Sequence, residues 1–96
     1  LNPKVEVIRK DQQTIVQAEL AGFNKEDIQI NVSEDQRQLV LSGESKRDKT
    51  HNEGEISYSE REYGSFTRSF TLPPGSKTED IKAKFDNGLL EVIIPK

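Results

Sequence analysis

Ala83-Lys84-Phe85-Asp86-Asn87-Gly88-Leu89-Leu90-Glu91-Val92-Ile93-Ile94-Pro95-Lys96, the closing stretch of the chain, decides the fold. Asp86-Asn87-Gly88 is turn chemistry, because Asn and Gly tolerate the positive φ that a tight hairpin demands and other residues resist. Ahead of the turn, Ile81, Ala83 and Phe85 alternate with Lys82, Lys84 and Asp86, so one face of that strand is apolar. Behind it, Leu89 to Ile94 is apolar on both faces, which predicts a central strand. Pro95 has no N–H to donate and ends the ladder.

Working towards the N-terminus, the same alternation recurs. Phe66 to Leu72 is a strand closed by Pro73-Pro74-Gly75. Gln38 to Gly43 turns Leu39 and Leu41 one way and Val40 the other. Ile28, Ile30 and Val32 alternate with Gln29, Asn31 and Ser33, the pattern of a half-buried strand. Ala21 to Asn24 breaks the chain, and Asn24 can cap a single helical turn over Lys25-Glu26-Asp27. Thr14 to Leu20 is a strand with Val16, Ala18 and Leu20 inward, and Val5 to Lys10 precedes it. Short strands and frequent turns predict an all-β fold, an antiparallel immunoglobulin-like β-sandwich of about seven or eight strands.

Glu44 to Glu62 interrupts this regularity, being charged and polar except for Ile56 and Tyr58. One reading is a solvated loop. The other takes Ile56-Ser57-Tyr58-Ser59 as a short strand on an extended arm, since its alternation suits β structure and long structureless loops are uncommon in compact domains.

Composition limits the function. The 96 residues form one domain, 1–96, with 31% hydrophobic and 32% charged residues and a net charge of −3. Both signs are interspersed, with no basic patch for nucleic acid, and no apolar run approaches the roughly 20 residues that span a bilayer. Cysteine and methionine are absent. The first excludes a disulfide framework and permits a reducing compartment. The second, with Leu1 at the start, is expected of a piece of a longer protein, and the cytoplasm is the expected location. Catalytic chemistry finds no constellation. The single histidine, His51, stands with Glu53 and Glu55 in the polar stretch, and nothing is spaced as a triad, a metal site or a phosphate loop. No cofactor or metal is expected, and the chain does not read as an enzyme.

The closing stretch resembles the A-x-x-x-N-G-x-L signature of the small heat-shock protein (α-crystallin, Hsp20) family through Ala83, Asn87, Gly88 and Leu90. Ala21-Gly22-Phe23 with Lys25-Glu26-Asp27-Ile28 is similar to the family's L-P-G-x-x-x-E-D-I element, Ala21 replacing the proline while Gly22 is kept. Leu39 to Glu44, including Gly43, resembles L-x-I-S-G-E. Glu60-Arg61, Gly64, Phe66, Arg68, Phe70, Leu72 and Pro73 match E-R-x-x-G-x-F-x-R-x-F-x-L-P. Together these cover essentially the whole chain in order.

The resemblance implies an ATP-independent chaperone that holds partly unfolded client proteins. It also implies an isolated α-crystallin domain, lacking the N-terminal arm and the C-terminal I-x-I extension that build large oligomers. The long polar segment looks like that of non-animal members, in which a strand crosses to the partner. Ile56, Ser57, Tyr58 and Ser59 would then pair with Val5, Val7 and Arg9 of a second copy, making a homodimer by strand exchange. A groove for an I-x-I segment or client would lie between Ile30 and Val32 on one side and Ile81 and Ala83 on the other. By periodicity alone, these four are ordinary core residues. Arg68 shares the apolar face with Phe66, Phe70 and Leu72, so it is either buried and paired near the dimer contact or snorkels to solvent at an edge. The alternatives to the chaperone reading are a CS/p23-like co-chaperone and a β-sandwich protein-recognition module.

Overall fold

The computed structural model describes residues 3–53 and 56–96, and side chains outside 46–63. Seven antiparallel strands form two sheets: a four-stranded sheet ordered β1-β2-β7-β6 and a three-stranded sheet ordered β3-β4-β5. They are β1 (Val5–Arg9), β2 (Gln13–Glu19), β3 (Ile28–Ser33), β4 (Gln38–Glu53), β5 (Ile56–Thr71), β6 (Lys82–Asp86) and β7 (Leu89–Pro95). Single turns of 3-10 helix at Lys25–Asp27 and Thr78–Asp80 lead into β3 and β6. The first is the turn expected after Asn24, whose backbone N–H donates to the Asp27 carboxylate at 3.0 Å.

Register turns the alternation into a core. Ala18 pairs with Val5 on one side and Leu90 on the other, and Leu90 pairs with Phe85, so one row crosses the four-stranded sheet. Val7, Val16, Val92 and Ala83 make the next row. In the other sheet Ile30 stands opposite Leu41 and Leu41 opposite Arg68, while Val32, Leu39 and Phe70 form a parallel row. Leu20, Leu39, Leu41, Val16 and Val92 are the largest fully buried side chains. Each is worth roughly 1.5–3 kcal/mol of transfer free energy. As the closing sequence predicted, β7 lies between β2 and β6.

The polar segment, read either as a solvated loop or as an extended arm carrying a short strand, is a β-ribbon. Pairing of β4 with β3 ends at Gly43, yet β4 and β5 continue together from Glu44↔Ser65 to Glu53↔Ile56. Ile56, Ser57, Tyr58 and Ser59 therefore pair with Glu53, Asn52, His51 and Thr50 of their own chain instead of standing as an isolated strand on a loop. The register sets Arg47 opposite Glu62, Asp48 opposite Arg61 and Lys49 opposite Glu60. The ribbon stretches the molecule to 62 × 23 × 20 Å, with a radius of gyration of 17.1 Å. A compact domain of this length has roughly 13 Å.

Candidate functional site

A sandwich of two open sheets has four edge strands, here β1 and β6 in one sheet and β3 and β5 in the other. On the β3–β6 flank an apolar cleft of about 130 Å³ opens between the sheets. Ile28 and Ile30 line it from β3, Ala83, Lys84 and Phe85 from β6, with Leu90 and Lys25 completing the wall. Alternation brings these together, because Ile28 and Ile30 on one edge and Ala83 and Phe85 on the other all point inward. Ile30 is half-buried and Ala83 exposed. The small side chain at Ala83 leaves the slot open where a larger one would fill it.

Four residues were expected to form this groove, and the structure brings Ile30 and Ala83 together in it. Val32 lies further along the same edge, 39% exposed, and does not line the cleft. Ile81 is half-buried against the core just before β6, also outside the cleft. Phe85, Ile28 and Leu90 were not expected as walls. Phe85 was findable, being two residues from Ala83 on the apolar face of the same strand. A larger cleft of about 430 Å³ is lined by Glu34, Arg37 and Glu79 among others. There the Thr78 hydroxyl donates to the Glu34 carboxylate. It is the less suitable place for an apolar chain.

The β1–β5 flank carries the residues expected at a dimer contact. Val5 is half-buried, Val7 is 41% exposed and Arg9 is exposed, all on the inward parity of an edge strand. The side chains of Ile56 to Ser59 lie outside the described residues, as do those of His51 and Glu53 and the whole of Glu55. Of the two readings of Arg68, the single chain shows the exposed one. The residue has the inward parity, opposite Leu41, but β5 is an edge strand and Arg68 is exposed. Among the described residues, its Nη2 donates to the Pro3 backbone carbonyl at 3.5 Å. Among the other motif residues, Gly22, Asn87 and Gly88 have φ of 92°, 50° and 79°, and Gly43 sits against the Phe66 ring. Among the described residues, no group of His, Cys, Asp or Glu could hold a metal ion, and no helix is long and apolar enough to cross a membrane.

Residues 6–96 match the model of the Hsp20/alpha crystallin family. The chain belongs to that family. Over 98 residues it is 39% identical to Heat shock protein 16 of Schizosaccharomyces pombe, a match covering 100% of this chain and 67% of that protein. It is 33% identical to a 17.6 kDa class I heat shock protein of Helianthus annuus, covering 100% of this chain and 62% of that one. The chain spans about half to two thirds of the length of the curated relatives it matches. Among solved structures, Heat shock protein 16.0 from Schizosaccharomyces pombe superposes with a TM-score of 0.82 at 37% identity, covering 100% of this chain and 87% of that one. A small heat-shock protein from Xylella fastidiosa, described as having a distinct high order structure, gives 0.75 at 30% identity, covering 100% and 86%. The α-crystallin fold expected from the sequence is the one observed, and membership of a small heat-shock family supports a chaperone role.

Proposed function

We propose that the chain is the core domain of an ATP-independent holdase, which dimerises and binds partly unfolded client proteins so as to limit their aggregation. The observation that carries this reading is the apolar cleft between two strand edges, β3 and β6, neither of which is capped by another strand. An extended chain laid along such an edge gains main-chain hydrogen bonds, while its alternate side chains enter the cleft. Binding an unfolding chain in this way competes with its self-association by mass action and needs no chemical step.

Dimerisation uses the opposite flank. Strand β5 is paired with β4 along one edge only, and β1 with β2 along one edge only. In the dimer Ile56 to Ser59 of one protomer pair with the partner's Val5, Val7 and Arg9. Arg68 stands beside that seam, where it touches Pro3, just ahead of β1. Covering both edges also removes an aggregation hazard. In the full-length protein, such dimers are the units of a larger cytoplasmic oligomer. The measurement is light scattering of a heat-stressed client without nucleotide. Suppression that grows with the amount of chain supports a holdase, whereas a curve unchanged at about tenfold molar excess contradicts it.

A further inference from the structure

One buried side-chain polar atom among the described residues lacks a partner. Thr14 is 3% exposed, and its Oγ1 makes no hydrogen bond. It shares the parity of Val16 and Ala18, so it belongs to the inward face of β2. Register places Ile94 directly opposite on β7 and Arg9 directly opposite on β1. Ile94 has nothing to donate, whereas a guanidinium carries five N–H donors. The pairing with Arg9 is also the close kind. Lys10 N–H donates to the Gln13 carbonyl and Glu19 N–H to the Lys4 carbonyl, both at 2.9 Å, so the main-chain bonds between β1 and β2 fall at the even-numbered residues of β1. Arg9 and Thr14 are therefore a non-hydrogen-bonded pair, whose side chains approach most closely. The same alternation turns the N–H and C=O groups of Val5, Val7 and Arg9 out along the free edge of β1. In the single chain Arg9 is exposed and has no side-chain partner among the described residues.

We infer that Thr14 and Arg9 form a polar clasp that closes when a second copy covers the β1 edge, which makes Thr14 a positioning residue for assembly. The inference rests on the proposed use of that edge in the dimer. In the single chain the Arg9 guanidinium keeps its water, and the Thr14 hydroxyl is left unpaired. A bond between them there would strip water from the guanidinium, which offsets its gain. A strand laid along β1 removes that water in any case. The guanidinium then needs a protein acceptor, because a buried charge without one is strongly disfavoured. Thr14 Oγ1 is the acceptor directly across the ladder. The clasp satisfies both groups at once and holds the end of β1 in the register that the incoming strand meets. The hydroxyl thus favours the assembled state over the single chain.

Sedimentation equilibrium of the chain and its variants measures the dimer dissociation constant. Thr14→Val keeps the shape of the side chain and removes the hydroxyl. It weakens the dimer by about tenfold or more, as loss of a hydrogen bond to a charged group should. The urea midpoint of dilute Thr14→Val stays the same or moves later, because the single chain loses only an unpaired buried hydroxyl. A residue that merely packs the core would move that midpoint earlier and leave the dissociation constant alone. Thr14→Ser, which keeps the hydroxyl, restores the dissociation constant of the unaltered chain. Arg9→Ala also weakens the dimer, and adding Thr14→Val to it has little further effect, the non-additivity of two partners in one contact. Thr14→Val that assembles like the unaltered chain, or effects of the two substitutions that add, overturns the clasp and leaves strand exchange standing. An unaltered chain that is monomeric at every concentration overturns both.

Discussion

Gly43 has no room for a side chain. A Cβ built there would lie 2.5 Å from Cε1 of Phe66 and 3.3 Å from the Asp27 carbonyl oxygen. The Phe66 ring is itself held edge-on to Phe23, with centroids 5.3 Å apart and planes at 86°, so it cannot swing aside without breaking that contact. Gly43→Ala therefore overpacks the core and lowers stability by roughly 1–3 kcal/mol, read as an earlier urea midpoint with an unchanged slope. Arg68 presents the opposite case. Exposed and holding one long hydrogen bond, it contributes little to the fold of one chain. Arg68→Ala is expected to lower the unfolding free energy of dilute protein, read from its urea midpoint, by less than about 1 kcal/mol. A loss of several kcal/mol would restore the buried pair that strand parity suggested. Parity states which face a residue is on. It does not state how deeply an edge strand covers that face, so this depth was not legible in the sequence.

The β6–β7 hairpin shows the most legible element. Asn87 and Gly88 both take positive φ, 50° and 79°, as a two-residue turn of this hand requires. The Gly88 carbonyl also accepts the Leu20 N–H at 2.7 Å, which ties the end of β2 to the turn. A Cβ on Gly88 would add strain at that φ and approach the Ala21 Cα to 3.3 Å. Gly88→Ala should cost roughly 1–3 kcal/mol, visible as faster amide exchange along β6 and β7 ahead of the rest of the sheet. Strand β3 was equally readable, because one buried face imposes alternation and one register, while β7 was readable as an apolar run bounded by the turn and Pro95. The ribbon was not. From Glu44 onward β4 pairs with β5 alone, so no apolar face announces a strand. Its backbone pairing runs from Glu44↔Ser65 to Glu53↔Ile56. The groove was partly readable for a related reason. Alternation identified Ile30 and Ala83 on their edges, but where along each edge the two sheets open is set by three-dimensional packing, and this left Val32 and Ile81 outside.

At the scale of the molecule, a sandwich with a projecting two-stranded ribbon is an incomplete object. An isolated hairpin is marginal in water, and an uncovered pair of strand edges invites another chain. The same β4–β5 arm that elongates the molecule offers the free edge that the partner's β1 would complete. On the proposed reading the cleft on the far flank stays open for an extended segment, so assembly and binding would use different edges. Size-exclusion chromatography with light scattering tests this division most directly. The comparison is between the intact chain and one cut at the matched pair Lys46 and Tyr63, residues 47–62 being replaced by an Asn-Gly turn that preserves the register. The intact chain is expected at twice the mass of one chain, and the shortened one at a single mass with its sandwich still folded. A shortened chain that remains a dimer, or an intact chain that runs as a monomer, would contradict assembly through the ribbon.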